Sequence, residues 1–351
     1  MTIIYKKNEN WKKSILDSSV TIRGAFSNLE KTGLQIIFVC SKNKKLVGTV
    51  TDGDIRRGLM SGMSLNDKII KIVNKEPVLI SQDIDLNTAT KIMQINKIKS
   101  LPVINKFRKL MNVYFLNSLQ DTNNNYDIVI MAGGKGTRLH PITKSIPKAM
   151  VKVCGEPIVE IIIKKFIKFG FSNFYLSVNH LKNKIINYLQ SGERLGVTIK
   201  YIKEKKPLGT IGSLGLLNNV SKNFLIINCD VLTNLNFLEF IKFHEDSKSS
   251  VTIAANVIQQ YSNFGEIKTD GNKVVSFAEK PIEKKYNNSG IYIFNRSTLK
   301  YIKKNQKLDI NNFVNFLLKK NIKVNIFPIY ENWTDIGIKS ELNKVNKTTI
   351  K

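Results

Sequence analysis

Apolar positions along the first 115 residues follow a pattern that returns after 64 positions. Ile22, Ala25, Leu29, Val39 and Leu46 correspond without a gap to Leu86, Ala89, Met93, Val103 and Leu110. Each copy predicts a helix (22–31 and 86–96), a short strand (35–40 and 100–104), a turn, a second strand (45–51 and 109–115) and a further helix. Lys42-Asn43-Lys44 reads as the turn of the first copy. A unit of this size cannot bury a core alone, so the two copies, about 12–62 and 74–120, are expected to pack together as one domain over 1–120.

A polar stretch, Asp121-Thr122-Asn123-Asn124-Asn125, then reads as a linker over 121–126. From 127 to 351 apolar strand-like runs (128–132, 174–178, 197–202, 224–228) alternate with amphipathic helical patterns (158–169, 182–189, 237–244). Strand, helix, strand in this order predicts an α/β domain, a Rossmann-like mainly parallel sheet with helices on both faces. Ligands of such sheets collect at the carboxyl ends of the strands.

Composition changes this picture little. A chain of 351 residues with 42% apolar content suits two globular domains. The formal charge of +28 suggests nucleic acid. Yet arginine occurs only seven times (23, 56, 57, 108, 138, 194, 296), and the lysines are scattered among Asn and Ile with no basic block interleaved with aromatics. The charge is read as solvated surface that helps gather polyanionic nucleotides, not as a nucleic-acid interface. The three cysteines (40, 154, 229) form no close pair and are read as free thiols. His140, His180 and His244 have no metal spacing and are read as structural. The N-terminal residues turn polar at once and no apolar run nears the ~18 residues of a bilayer span. A cytoplasmic protein with no membrane partner is expected.

The chemistry gathers after the 128–132 strand. Ala132, Gly133, Gly134, Gly136 and Thr137 form a glycine-rich turn, followed by Arg138, Leu139, Pro141, Thr143, Pro147 and Lys148. Glycines directly after a buried strand let backbone N–H groups approach phosphate oxygens, and Arg138 and Lys148 add cations. The dinucleotide fingerprint would need glycine at Leu139, and the P-loop lysine spacing is absent.

The stretch G-G-x-G-T-R-L-x-P-x-T-x-x-x-P-K resembles the opening motif of the sugar-phosphate nucleotidyltransferases, the nucleotide-diphospho-sugar transferase type. Four later stretches fit the same family. Glu204-Lys205-Lys206-Pro207-Leu208-Gly209-Thr210-Ile211-Gly212 resembles its E-x-x-P-L-G-T-A-G loop, with Ile211 where Ala is usual, and Asn228-Cys229-Asp230 resembles its N-x-D element. Phe277-Ala278-Glu279-Lys280-Pro281 with Asn288-Ser289-Gly290-Ile291-Tyr292, preceded by Phe264-Gly265-Glu266, resembles the sugar-side elements, and Trp333-Thr334-Asp335-Ile336-Gly337 resembles W-x-D-I-G.

The resemblance implies roles for the matching residues. Ala132, Gly133, Gly134, Gly136, Thr137, Leu208, Gly209 and Thr210 hold the nucleotide; Gly265, Glu279, Lys280 and Asn288 hold the sugar phosphate. Arg138, Lys148, Asp230 and Lys280 are the catalytic set, and Asp230 with Asp335 binds Mg²⁺. In the first domain, Val47-Gly48-Thr49-Val50-Thr51-Asp52-Gly53-Asp54-Ile55 and Ser100-Leu101-Pro102-Val103 resemble a CBS-domain pair. This implies an adenosine nucleotide at Thr51 and Asp54, whose counterparts in the second copy are Phe115 and Ser118.

A CBS pair ahead of the transferase, with Pro-Lys-Ala-Met at 147–150, resembles most the guanylyltransferases that make GDP-glucosamine-type sugars for bacterial legionaminic acid synthesis. GTP and glucosamine 1-phosphate are the implied substrates, and a homo-oligomer is expected. Mannose 1-phosphate with GTP, or glucose 1-phosphate with UTP, CTP or dTTP, stays open, as does a nucleotide-sensing protein with an inactive transferase domain.

Overall fold

A computed structural model describes residues 9–115, 126–279 and 282–348, in two compact units, 1–123 and 124–351. In the first unit β1 (Ile15–Asp17) lies parallel to β2 (Ile36–Cys40), which pairs antiparallel with β3 (Leu46–Thr51). Helix α1 (Ile22–Thr32) precedes β2, and α2 (Asp52–Met60) follows β3. The second copy supplies α3 (Leu86–Ile95), β4 (Ser100–Ile104) and β5 (Leu110–Phe115), the two strands again antiparallel. Its further helix and most of the expected linker fall outside the described residues.

The repeat extends to the backbone. Gly33 and Lys97, at the ends of the paired helices, both have positive φ (65° and 54°), and so do Lys44 and Arg108 in the paired turns (both 59°). The two copies share one core, in which Phe38, Cys40 and Leu46 of the first meet Ile104 and Val113 of the second. Burying one face of each small sheet against the other copy is how a unit too small for its own core is stabilised.

The second unit is built on a seven-stranded sheet. Its strands are β6 (Asp127–Met131), β9 (Asn173–Val178), β10 (Thr198–Lys203), β11 (Asn223–Asn228), β13 (Val251–Tyr261), β16 (Ile282–Asn295) and β17 (Val324–Ile329), in the order 10-9-6-11-16-13-17. Six small strands lie apart from it as antiparallel pairs. They are β7 (Lys152–Val153) with β8 (Glu156–Pro157), and β14 (Glu266–Asp270) with β15 (Lys273–Ala278). The pair β12 (Val231–Thr233) and β18 (Trp333–Asp335) completes the set.

The sheet is parallel except at β16, which runs antiparallel to both neighbours. Successive residues of a strand face opposite sides. Ile128 and Ile130 of β6 accordingly join one core layer with the short α4 (Ile142–Ser145), α5 (Ile158–Lys168), α6 (Lys182–Leu189) and α7 (Phe237–Ser247). Val129 joins the other layer, with Ile310, Phe313 and Leu317 of α8 (Ile310–Lys319). Covered on both faces, the central strands are apolar at nearly every position, which is why periodicity gave runs without alternation.

Two buried polar groups fix helices in these layers. Glu160 of α5 accepts from Arg194 at 2.6 Å and Tyr188 at 2.6 Å, and is held down to about 2 chiefly by the Arg194 hydrogen bond. His244 of α7 meets the Thr252 hydroxyl at 2.7 Å, and burial pushes its ring down to about 4, so it is neutral. Both serve the core. Among the described residues no helix is long and apolar enough to cross a membrane.

Candidate active site

β6 lies in the middle of the sheet, paired on both sides, so the chain must leave it at its carboxyl end. The backbone stays beside β9 for one more residue, Ala132 N–H donating to Ser177 O at 2.8 Å. The glycine-rich turn then begins. A Cβ on Gly133 would stand 2.7 Å from Glu204 Oε1, so a side chain has no room there. Gly136 has φ +65°, and a Cβ on it would meet Thr143 and Lys148 at 3.0 Å. The buried Thr143 hydroxyl donates to Gly136 O at 2.7 Å, and Leu139, fully buried, pins the turn from below. Gly134, Thr137 and Arg138 are left exposed, on the outer side of the turn.

Four chain segments bring their charges to one place. Asp230 follows β11 and Asp335 ends β18, where Val231 pairs with Asp335 and Ile336 N–H donates to Asp230 O at 2.9 Å. The Lys148 ammonium donates to Asp230 Oδ2. The Arg138 guanidinium lies 3.4 Å from Asp335 and 3.8 Å from Asp230. Gly337 N–H donates to Asp335 Oδ1 at 2.8 Å. A Cβ on Gly337 would lie 2.7 Å from Asp230 Oδ2, 2.8 Å from Asp335 Oδ1 and 2.8 Å from Lys148 Nζ. The missing side chain thus marks the point where the charged atoms meet.

Burial pushes the Asp230 carboxyl up, against the pull of Lys148, and the Asp335 carboxylate adds to the rise. Burial also acts upward on Asp335. There it is outweighed by hydrogen bonds with Asp230 and the Gly337 N–H and by the Arg138 and Lys148 charges, so Asp335 lies below the usual range. Two carboxylates this close divide in this way. Burial pushes the neighbouring Cys229 thiol up to about 12, which keeps it inert.

Two carboxylates beside an open phosphate turn suit a hard cation that takes its remaining oxygens from substrate phosphate and water, as Mg²⁺ does. No group of three His, Cys, Asp or Glu side chains that could hold a metal occurs among the described residues. Asp230 and Asp335 are the residues whose chemistry fits such a hard cation.

The 204–212 loop lies against the 306–310 segment. Leu208 is buried and its O accepts from Leu308 N–H at 2.9 Å, Ile211 N–H donates to Leu308 O at 3.1 Å, and the Thr210 hydroxyl accepts from Ile310 N–H at 2.7 Å, capping α8 from outside. Gly209 has φ +78° and lies against Leu308 and Asp309. Thr210 through its hydroxyl, and Leu208, Thr210 and Ile211 through their backbone, therefore hold the loop.

On the sugar side, Gly265 lies against Phe277 and Glu279, a Cβ there being 3.1 Å from Glu279 Oε2. The β13–β16 ladder shifts register after Ala254. At the shift Asn288, an exposed residue, accepts at Oδ1 from Gly290 N–H at 3.1 Å and from the Tyr292 hydroxyl at 2.9 Å. Gly290 packs on Asn228, two residues before Asp230. Lys280 lies outside the described residues. In the other unit Thr51 and Asp54 form a capping box at the start of α2, and Asp54 Oδ1 also pairs with Arg57 at 2.5 Å.

Glu204 and Gly337 carry no local signal of their place in this geometry. Both stand inside quoted motifs, but a glutamate among lysines reads as surface and a glycine after an acid reads as a turn.

The family model for nucleotidyl transferases matches residues 127–351. The UTP–glucose-1-phosphate uridylyltransferase of Synechocystis sp. is 32% identical over 202 residues, 52% of each chain. Mannose-1-phosphate guanyltransferase beta-A of Xenopus laevis is 33% identical over 181 residues, 49% of this chain and 50% of that one. The chain spans about half the length of these curated relatives. Among solved structures, HddC from Yersinia pseudotuberculosis is 27% identical with a TM-score of 0.52, covering 64% of this chain and 99% of that one. Its complex with GMP-PN aligns at 25% identity and a TM-score of 0.51 over the same shares.

Proposed function

Because this chain belongs to the nucleotidyl transferase family through residues 127–351, we propose that it joins a sugar 1-phosphate to a nucleoside triphosphate with release of pyrophosphate. The pair is GTP and glucosamine 1-phosphate, giving GDP-glucosamine for cytoplasmic nucleotide-sugar synthesis. The convergence of Arg138 and Lys148 with Asp230 and Asp335 carries the reaction class. Guanine is supported by the guanyltransferase relatives and by the similar structure that holds GMP-PN.

A phosphate monoester is already ionised at neutral pH, so one of its oxygens attacks the α-phosphorus in line without a general base. The barrier lies in bringing two polyanions together and in the charge that grows on the departing pyrophosphate, and positioned cations lower it. Arg138, exposed at the rim, takes the triphosphate; Lys148, largely buried, takes the α-phosphate and the charge of the transition state. Lys280 takes the acceptor phosphate, and Glu279 and Asn288 take sugar hydroxyls. Asp230 and Asp335 would hold Mg²⁺, which supplies further neutralisation of phosphate charge.

Five nucleoside triphosphates assayed against glucosamine, mannose and glucose 1-phosphates for pyrophosphate release test the reading. GTP with glucosamine 1-phosphate should give the highest kcat/KM. A higher value for another pair replaces those substrates. Tight nucleotide binding with no turnover on any pair refutes the transferase in favour of a nucleotide sensor.

For the first unit we propose a CBS pair that takes an adenosine nucleotide at Thr51 and Asp54, where the ribose would compete with Arg57 for Asp54. AMP or ATP should then shift the kinetics or the Tm; no effect on either reduces the unit to a packing module.

A further inference from the structure

Glu204 is 6% exposed, while its neighbours Lys203, Lys205 and Lys206 are all exposed and none reaches it. Among the described residues its carboxylate has no ion pair and is satisfied by neutral donors alone. The Ser177 hydroxyl donates to Oε1 at 2.7 Å, and Leu208 N–H donates to Oε2 at 3.0 Å. Its own backbone is fixed beside β9, Glu204 N–H donating to Val178 O at 3.0 Å and the Asn179 amide donating to Glu204 O at 3.4 Å. Oε1 also fills the space that Gly133 leaves open. One carboxylate therefore touches the end of β9, the glycine-rich turn and the first residue of the Leu208-Gly209-Thr210 loop.

We infer that Glu204 is a positioning residue that sets the gap between the two loops closing on the nucleotide, building on the transferase reading above. A buried carboxylate costs several kcal/mol to desolvate unless donors are fixed around it, and an apolar residue would fill the space more cheaply. What the carboxylate adds is two acceptors aimed at donors on β9 and on the Leu208 loop, so that loop cannot slide along β9 without orphaning a buried group, while the glycine-rich turn packs on Oε1 at Gly133. Among the described residues its carboxylate makes no hydrogen bond to Gly265, Glu279 or Asn288.

The role demands acceptor geometry, not charge. In Glu204→Gln the amide oxygen can keep Leu208 N–H while the amide nitrogen donates to Ser177, whose hydroxyl rotates to accept. In Glu204→Ala, Leu208 N–H is orphaned and both loops are released.

The experiment uses the full chain, GTP as the probe and temperatures well below each variant's Tm. Calorimetric titration of GTP is run beside steady-state kinetics. Glu204→Ala should weaken GTP binding and raise the KM for GTP at least tenfold, with the KM for the sugar phosphate changed less than twofold. Glu204→Gln should stay within threefold of the parent on both. Ser177→Ala, which loses one bond and orphans no backbone group, should fall between them. Equal changes in both KM values, or a lowered Tm with GTP binding intact, overturn the positioning role. A Gln variant as impaired as Ala shows that charge matters and overturns it as well. The transferase reading fails separately, if the parent chain binds GTP without turning over any sugar phosphate.

Discussion

Replacing Gly337 by alanine puts a methyl group where three charged atoms meet. Its ideal position lies 2.7 Å from Asp230 Oδ2 and 2.8 Å from both Asp335 Oδ1 and Lys148 Nζ, whereas ordinary contact begins at 3.4 Å. Each atom must retreat by about 0.6–0.7 Å. The backbone contributes no strain, since Gly337 is not among the residues of positive φ. All three neighbours are ends of side chains, so the cost in stability falls at the lower end of the ~1–3 kcal/mol for overpacking. The cost in function is larger, because displacing reacting groups by about 1 Å costs on the order of a hundredfold. Gly337→Ala should therefore lose thirty- to a hundredfold in kcat, need more Mg²⁺ for half-saturation, and melt only a few degrees lower. Pyrophosphate release measured against Mg²⁺ concentration, with a thermal melt beside it, decides this. Unchanged kcat and unchanged Mg²⁺ response would refute the convergence of the ligands at Gly337.

Two further outcomes follow from the same geometry and from the core. Lys148→Ala should lower kcat by about two to three orders of magnitude, since removing one cation from such a site costs ~3–4 kcal/mol. The nucleotide-free variant should nonetheless bind Mn²⁺ more tightly, because the ammonium that now pairs with Asp230 is gone; equal or weaker binding in a spectroscopic titration counts against the pair. His244 is held down to about 4 by burial, against 6.5 when exposed. Between those values the unfolded chain binds a proton that the folded chain refuses, so stability falls as pH drops from 6.5 to 4, by up to about 3 kcal/mol. Urea unfolding of His244→Asn should show a flatter slope in that window, and an identical slope would remove His244 as its source.

The parts of this fold legible in the sequence are those that local chemistry dictates. A strand covered on both faces must be apolar, which is why 128–132 could be read, and residues 64 apart carry both the same apolar positions and the same left-handed turns at Lys44 and Arg108. Strand direction is not written locally: nothing in Ile282–Asn295 marks it as the one reversed strand of the sheet, because an antiparallel strand inside a two-faced sheet has the same burial as its parallel neighbours. The meeting of Asp230 with Asp335 depends on the pairing of β12 with β18, a contact across 105 positions that only motif order suggested. Leu208 and Thr210, expected at the nucleotide, are also bonded to Leu308, Asp309 and Ile310, a contact across about 100 positions that no local pattern records.

On the proposed reading Asp230, joined by Lys148, Arg138 and Asp335, makes a metal-assisted nucleotidyl-transfer site. Pyrophosphate release by the parent chain and by Asp230→Ala, with Mg²⁺, GTP and glucosamine 1-phosphate, tests it most directly. The parent should turn over and form a sugar nucleotide, and the variant should retain less than about one part in a hundred of its kcat. Full turnover by Asp230→Ala would contradict the account.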